Sequence, residues 1–164
     1  MSAIAPGKAA PPFELMDVDG KPYSLAAALE RSPVLAAFFK VSCPTCQYAL
    51  PFVERLYQQL RPQDAAIWGV SQDNARDSQR FASAFGLTFP ILIDEEPYEI
   101  SQEYGLDHVP TLFLIAPGGQ VEISGDGFSK SDLLEIQKWL ARHFAVEAPP
   151  LFLPGEKVPE YKPG

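Results

Sequence analysis

Cysteine is scarce in this sequence, and long apolar runs are absent. Only two of the 164 residues are cysteines, and both lie in the tetrapeptide Cys43, Pro44, Thr45, Cys46. Two thiols within one turn cannot staple distant segments together, so the pair excludes a disulfide scaffold and favours redox catalysis or metal binding. The longest apolar run, Val34–Phe39, is far shorter than the ~20 residues that a membrane-spanning helix needs.

Positive charge and histidine are also in short supply. The chain has 13 Lys and Arg, 21 Asp and Glu, and 2 His, which gives a net charge of −8. This charge repels phosphate backbones and anionic lipids, so we expect neither nucleic acid nor a membrane as a partner.

Residues 1–12 contain three prolines and lack the apolar stretch of a secretory signal. If Met1 is the native start, we therefore expect a cytoplasmic protein.

Apolar segments alternate between strand and helix patterns along most of the chain, which predicts one α/β domain over residues 1–144. Fully apolar runs predict buried strands at Val34–Phe39, 65–70 and 112–115, and further patterns predict a hairpin at 13–25, a short strand at 91–93, a helical turn at 98–104 and an edge strand at 121–123. Capping residues predict helix starts at Ser24, Asn74 and Ser129. An amphipathic helix that Pro51 should kink is predicted directly after the cysteines, over 46–60.

Proline is the one abundant outlier, with 17 residues. The predicted core ends at Phe144, and residues 145–164 carry too many prolines for a helix or a central strand. We therefore predict a tail that is dispensable for folding, either as a surface extension or as a docking segment. Its apolar residues Leu151, Phe152 and Leu153 are the features that argue against dispensability.

The two cysteines are spaced so that both sulfurs lie on one face of the first helical turn. The unpaired amides at a helix N-terminus favour a thiolate at Cys43, which makes it the predicted nucleophile, and Cys46 would resolve the mixed disulfide. Pro44 withholds one amide from this turn, and it stiffens the ring that a disulfide between Cys43 and Cys46 would close. Two alternatives stay open: inert buried cysteines, and a zinc site for which only His108 and His143 could supply histidine ligands. We expect no cofactor and no metal.

A second signal is the Val109-Pro110 pair ahead of the strand at 112–115, which we expect to lie beside the first strand. An X-Pro bond can be cis at little cost, and we predict a cis bond here. With the cysteine motif, this pair resembles the thioredoxin superfamily, and within it the redoxin branch of AhpC/TSA and TlpA/ResA-like thiol-disulfide oxidoreductases. The similarity covers residues 13–144 and rests on Phe13, Leu15, Asp17, Gly20, the stretch 38–46, Pro51, Tyr104, Gly105, residues 109–111 and 113–115, and Gly119.

The resemblance implies a thioredoxin-like fold, with a central mixed β-sheet flanked by helices, an N-terminal β-hairpin and a βα insertion before the cis-proline strand. It implies that the protein exchanges dithiol and disulfide with protein substrates and receives its electrons from an unidentified donor. It also implies roles in redox homeostasis and antioxidant activity. A cytoplasmic member would act as a reductase. Val109 would pair through its backbone with the substrate strand, Pro110 would keep the two thiols from binding metal, and Pro44 and Thr45 would complete the substrate-binding surface. His108, where the family usually has glycine, is expected at the rim of the site.

Three departures from the family pattern concern proton transfer and the start of the motif. The tryptophan that usually precedes the first cysteine is Ser42, the buried acid of thioredoxins is Ala37, and the glutamate of ResA-like proteins is Ala49. No family proton acceptor for the second cysteine can therefore be assigned. Lys40 and Glu54 are nearby in sequence, and we expect both to be solvated charges, which leaves water as the base.

Two other functions remain as alternatives. A peroxiredoxin-like thiol peroxidase would need a threonine three residues, and a proline seven residues, before its reactive cysteine. These positions are Lys40 and Ala36 for Cys43, and Cys43 and Phe39 for Cys46, so neither cysteine fits. The other alternative is a non-catalytic module whose thiols sense redox state and control the docking of a partner.

Overall fold

The computed structural model describes residues 2–164, which contain nine strands, five α-helices and one 3-10 helix, Arg61–Gln63. The strands are β1 (Glu14–Met16), β2 (Pro22–Ser24), β3 (Val34–Phe39), β4 (Ala66–Ser71), β5 (Ile91–Ile93), β6 (Thr111–Ile115), β7 (Val121–Asp126), β8 (Phe128–Ser129) and β9 (Tyr161–Lys162). The helices are α1 (Leu25–Leu29), α2 (Pro44–Leu60), α3 (Ala75–Phe85), α4 (Glu99–Glu103) and α5 (Lys130–Phe144). Over residues 2–164, no helix is both long and apolar enough to cross a membrane.

A five-stranded mixed sheet with the order β5-β4-β3-β6-β7 forms the centre of the fold. The strands β3, β4 and β5 are parallel, whereas β6 and β7 are antiparallel to their neighbours. The central strand β3 is buried at every position, as its apolar run predicts. The expected pairing of β6 with β3 is confirmed, and so is the edge position of β7.

Successive side chains of β3 point to opposite faces of the sheet and join two separate cores. Leu35, Ala37 and Phe39 pack in the core that includes α2, α3 and α5. Val34, Ala36 and Phe38 pack in the core that includes α1, Phe13 and Tyr104. The sheet is therefore covered by helices on both faces, and the expected central mixed sheet flanked by helices is confirmed.

The helix caps and the hairpin predicted from the sequence are present in the structure. Ser24, Asn74 and Ser129 each cap a helix, because each side chain accepts a hydrogen bond from the backbone amide three residues on. Gly86 ends α3 in the left-handed conformation, with φ of 66°. The hairpin of β1 and β2 is also present, and β5 with α4 forms the expected insertion before β6.

The tail differs from the sequence-based prediction, because the core does not end at Phe144. Leu151 is only 1% exposed and belongs to the same core as α2 and α5, and the Phe152 ring lies 5.1 Å from that of Phe52. The tail also supplies β9, which pairs antiparallel with β8. Prolines lack an amide donor, but their carbonyls still accept hydrogen bonds, and the Gln137 side chain donates to Pro149 O at 2.7 Å.

Candidate active site

Cys43 lies between the end of the central strand and the start of α2. It is the N-cap of the helix, and its Sγ accepts a hydrogen bond from the Cys46 amide at 3.1 Å. Pro44 occupies the first turn, where a missing amide costs the helix nothing. Cys43 Sγ thus lies at the N-terminal end of the helix, where backbone amides point outward and can donate hydrogen bonds to it. Cys43 is partly exposed, so its sulfur is accessible to a substrate.

Cys46 lies one turn further along α2 and is fully buried. Burial raises the pKa of its thiol, and the hydrogen bond with Cys43 adds to this effect. Ala37 and Ala49, the two positions at which the resemblance implies an acid, are both buried in the same core as Cys46. The cysteines are both free thiols and differ sharply in environment, one accessible at the helix end and one in an apolar interior.

The Val109-Pro110 loop faces the cysteine motif from the neighbouring strand. The Val109-Pro110 peptide bond is cis, as predicted. The Cys43 thiol donates a hydrogen bond to Val109 O at 3.5 Å, which brings the two sequence signals into one site. Thr111 Oγ1 donates to His108 O at 2.8 Å and closes the loop, and the His108 side chain is exposed, as expected for a rim residue.

Two side chains that the sequence analysis missed hold the segment before Cys43 in place. The Val41 amide donates to Asp73 Oδ2 at 2.8 Å, and Gln47 Nε2 donates to Val41 O at 3.0 Å. Asp73 lies in the loop after β4, which is parallel to β3, so the loops that follow these two strands leave the sheet at the same edge. That topology was the available signal, since residues after neighbouring parallel strands lie close together.

Lys40 and Glu54, the charged residues near the motif in sequence, make separate contacts. Lys40 is partly buried, and its Nζ lies 5.7 Å from the centre of the Tyr98 ring. For Glu54 the expectation of a solvated charge is wrong, because its carboxylate accepts hydrogen bonds from the amide and the hydroxyl of Thr88, at 2.7 and 2.6 Å, and from the amide of Phe89. Glu54 therefore anchors the loop before β5 to α2.

The tail reaches this site, which the sequence analysis did not predict. Thr45 is buried, and its Oγ1 donates a hydrogen bond of 2.6 Å to Pro163 O. Gly164 lies against the carbonyl group of Val109. Pro44 is exposed beside them. Within residues 2–164, no group of three or more His, Cys, Asp or Glu side chains could hold a metal ion.

Comparisons with known proteins agree with this architecture. The AhpC/TSA family matches residues 6–124 of the chain. The thiol-disulfide oxidoreductase ResA of Geobacillus thermodenitrificans is 33% identical over 122 residues, which cover 74% of this chain and 69% of the relative.

Solved structures share the fold at lower sequence identity. The thioredoxin domain of a thiol-disulfide oxidoreductase from Bacteroides vulgatus superposes with a TM-score of 0.74 at 20% identity, covering 84% of this chain and 99% of that domain. The peroxidoxin BcpB of Mycobacterium tuberculosis superposes with a TM-score of 0.69 at 21% identity, covering 84% and 98% of the two chains. At these identities the structures establish the fold, and the family match over most of the chain confirms the resemblance expected from the sequence: this chain belongs to the AhpC/TSA family.

Proposed function

We propose that this protein is a thiol-disulfide oxidoreductase that exchanges dithiol and disulfide with protein substrates through Cys43 and Cys46. The observation that carries the proposal is the asymmetry of the pair. An accessible sulfur at the N-terminus of α2 lies opposite the cis-Val109-Pro110 loop, and a buried thiol follows one helical turn later. The ResA relative, which bears the name of a thiol-disulfide oxidoreductase, supports the same activity.

The exchange proceeds in two steps, and the two electrons that the enzyme loses are the two that the substrate gains. The Cys43 thiolate attacks one sulfur of a substrate disulfide, which forms a Cys43-substrate disulfide and releases the other substrate sulfur as a thiolate. The Cys46 sulfur then attacks Cys43 Sγ, so the second substrate thiolate leaves and a Cys43-Cys46 disulfide remains. The enzyme dithiol is oxidised by two electrons and the substrate disulfide is reduced by two. An external dithiol returns the enzyme to its starting state.

The second step depends on the proton of Cys46. Because burial raises the pKa of Cys46, this residue stays a thiol at neutral pH and must lose its proton before it can attack. The hydrogen bond from the Cys46 amide to Cys43 Sγ keeps Cys43 Sγ close to Cys46 for this attack. No acidic side chain replaces the family acid at Ala37 or Ala49, which supports the expectation that water takes the proton.

The proposed substrate-binding site consists of Pro44, Thr45, Val109 and Pro110, of which Thr45 and Pro110 are buried in this structure. Pro44 is exposed beside the reactive sulfur, and the Val109 carbonyl is within hydrogen-bond distance of that sulfur. An extended substrate segment that paired with the Val109 backbone would place its own disulfide next to Cys43. This geometry supports polypeptide disulfides as the substrate class. The cytoplasmic location and the antioxidant role stay predictions from the sequence.

Catalytic turnover tests the proposal and separates it from a redox sensor. With dithiothreitol as the reductant, we expect the wild-type protein to reduce insulin disulfides repeatedly, and the Cys43→Ser variant to lose this activity. A sensor would react once per molecule and then stop. Insulin reduction no faster than with dithiothreitol alone would contradict the proposed function.

A further inference from the structure

The last residues of the tail bridge the two halves of the proposed site. We call residues 161–164 the terminal segment. Lys162 Nζ lies 4.7 Å from the centre of the Tyr48 ring in the second turn of α2, and Pro163 O accepts the hydrogen bond of Thr45 in the first turn. Gly164 lies against the cis-proline loop on the other side. The terminal segment therefore spans from the cysteine helix to Val109.

The contact at Gly164 is a close approach of one backbone to another. A Cβ atom on Gly164 would collide with Val109 O, and it would lie 3.0 Å from the carbonyl carbon of Val109 and 3.4 Å from His108 Cβ. Only a residue without a side chain fits at this distance. The Val109 carbonyl, to which the proposed function gives the role of pairing with a substrate strand, thus already has a polypeptide backbone beside it.

The preceding residues of the terminal segment adopt the extended conformation that a bound strand would have. Tyr161 and Lys162 form β9 and pair antiparallel with Phe128 and Ser129 of β8. Strand β8 is itself tied to the cis-proline loop, because the amide of Gly127 donates to Pro110 O at 2.8 Å. The terminal segment enters the site as an added strand, which is a common mode of peptide recognition.

The tail is buried around Leu151, whereas the terminal segment lies at the surface. Leu151 is buried in the core, and Arg55 makes a two-pronged contact with Glu156, at 2.7 and 2.5 Å. In contrast, three of the four residues of the terminal segment are exposed. The terminal segment can therefore leave the site while the part of the tail that Leu151 and Glu156 anchor stays in place.

We infer that the terminal segment competes with the protein substrate for the Val109 backbone and must move aside before a substrate strand can bind. The inference rests on the proposed function and concerns the control of that same site. Cys43 itself stays partly exposed, so a small disulfide that needs no pairing with Val109 can reach it with the segment in place. The segment therefore discriminates between extended polypeptide substrates and small disulfides.

Two variants and one matched control test this competition. A chain that ends at Glu160 lacks the terminal segment but keeps the anchors at Leu151 and Glu156. Gly164→Ala keeps the full length and adds one methyl group that collides with Val109 O. Gly118→Ala is the control, because nothing lies within 4 Å of a Cβ atom at that position. Each protein is assayed with insulin and with 5,5′-dithiobis(2-nitrobenzoate), a small disulfide.

Removing an intramolecular competitor raises the fraction of molecules that can bind substrate, so KM falls and kcat stays the same. For insulin we expect a KM lower by about tenfold in the shortened chain and by about two- to fivefold in Gly164→Ala, with Gly118→Ala equal to the wild type. The rate with the small disulfide should change by less than about twofold, because that substrate does not use Val109.

The outcomes separate this inference from the proposed function. An insulin KM that is unchanged or raised in both variants would overturn the competition while leaving the exchange activity intact. An equal gain with the small disulfide would show that the segment merely shields Cys43, which also overturns it. If the wild type reduces neither substrate, the proposed function fails and the inference falls with it.

Discussion

Leu151→Ala is expected to destabilise the protein strongly, even though the residue lies in a proline-rich tail. Leu151 is 1% exposed and packs in the core that α2 and α5 share. Its backbone carbonyl also accepts a hydrogen bond from Arg55 Nη1 at 3.2 Å, which fixes the residue over α2. Truncating the side chain would therefore leave a cavity that the surrounding helices can close only in part.

The magnitude follows from burial and chain length. A fully buried Leu→Ala change costs about 2–5 kcal/mol of unfolding free energy. For a chain of 164 residues, the unfolding entropy is about 0.34 kcal/mol/K, so each kcal/mol lowers Tm by about 3 °C. We expect Leu151→Ala to lower Tm by about 6–15 °C. Removing residues 146–164 altogether should lower it at least as much, which reverses the expectation that the tail is dispensable.

Leu153→Ala is the matched control, because this leucine is two residues away and 53% exposed. It should change Tm by less than about 2 °C, as surface substitutions usually do. Thermal unfolding followed by circular dichroism measures both variants. Equal Tm values for Leu151→Ala and the wild type would refute the conclusion that the tail is part of the core.

Further expectations concern the thiols, the ion pair of the tail and peroxide. The Cys46→Ser variant should accumulate a mixed disulfide through Cys43, visible by mass spectrometry, because the resolving thiol is gone; trapping in Cys43→Ser instead would show that the roles are reversed. In single-turnover experiments, the decay of the mixed disulfide should accelerate as pH rises, because the raised pKa of Cys46 keeps it protonated at neutral pH, and a pH-independent rate would contradict this. The hydrogen bond with Arg55 lowers the pKa of Glu156 to about 2 from its usual 4.5, so the pair stabilises the fold above about pH 4.5 and loses its effect as pH falls towards 2. Glu156→Gln should therefore lower Tm at pH 7, and the difference from the wild type should shrink in acid. Hydrogen peroxide should oxidise the protein no faster than a free thiolate, because Lys40 stands where a peroxidase carries threonine; a much larger second-order rate constant would favour the peroxidase alternative.

The sequence predicted those parts of the fold that depend on local patterns. The apolar run of β3 indicates a strand buried on both faces. Asn74 and Ser129 are of residue types preferred at helix N-caps, and their capping hydrogen bonds are local, so both caps could be predicted. The spacing of the two cysteines and the Val109-Pro110 pair indicated which residues would meet at the candidate site. Their contact in the structure follows from the pairing of β3 with β6.

The tail could not be placed from the sequence, because its contacts join residues far apart along the chain. Arg55 and Glu156 are separated by 101 positions, and Thr45 and Pro163 by 118. A segment rich in proline has no hydrophobic period that would indicate a buried face. Glu54 was misjudged for the same reason, since its partners at Thr88 and Phe89 lie on another loop.

The most direct test of the central claim is the product of a single reaction between the reduced protein and a polypeptide disulfide. Equal amounts of protein and disulfide peptide are mixed, quenched with acid, and analysed by mass spectrometry after blocking the free thiols. We predict two free substrate thiols for each enzyme molecule oxidised, and an enzyme that has lost two hydrogen atoms and carries a disulfide between Cys43 and Cys46. A protein whose two cysteines are both still blocked as free thiols, with the peptide disulfide intact, would contradict the account.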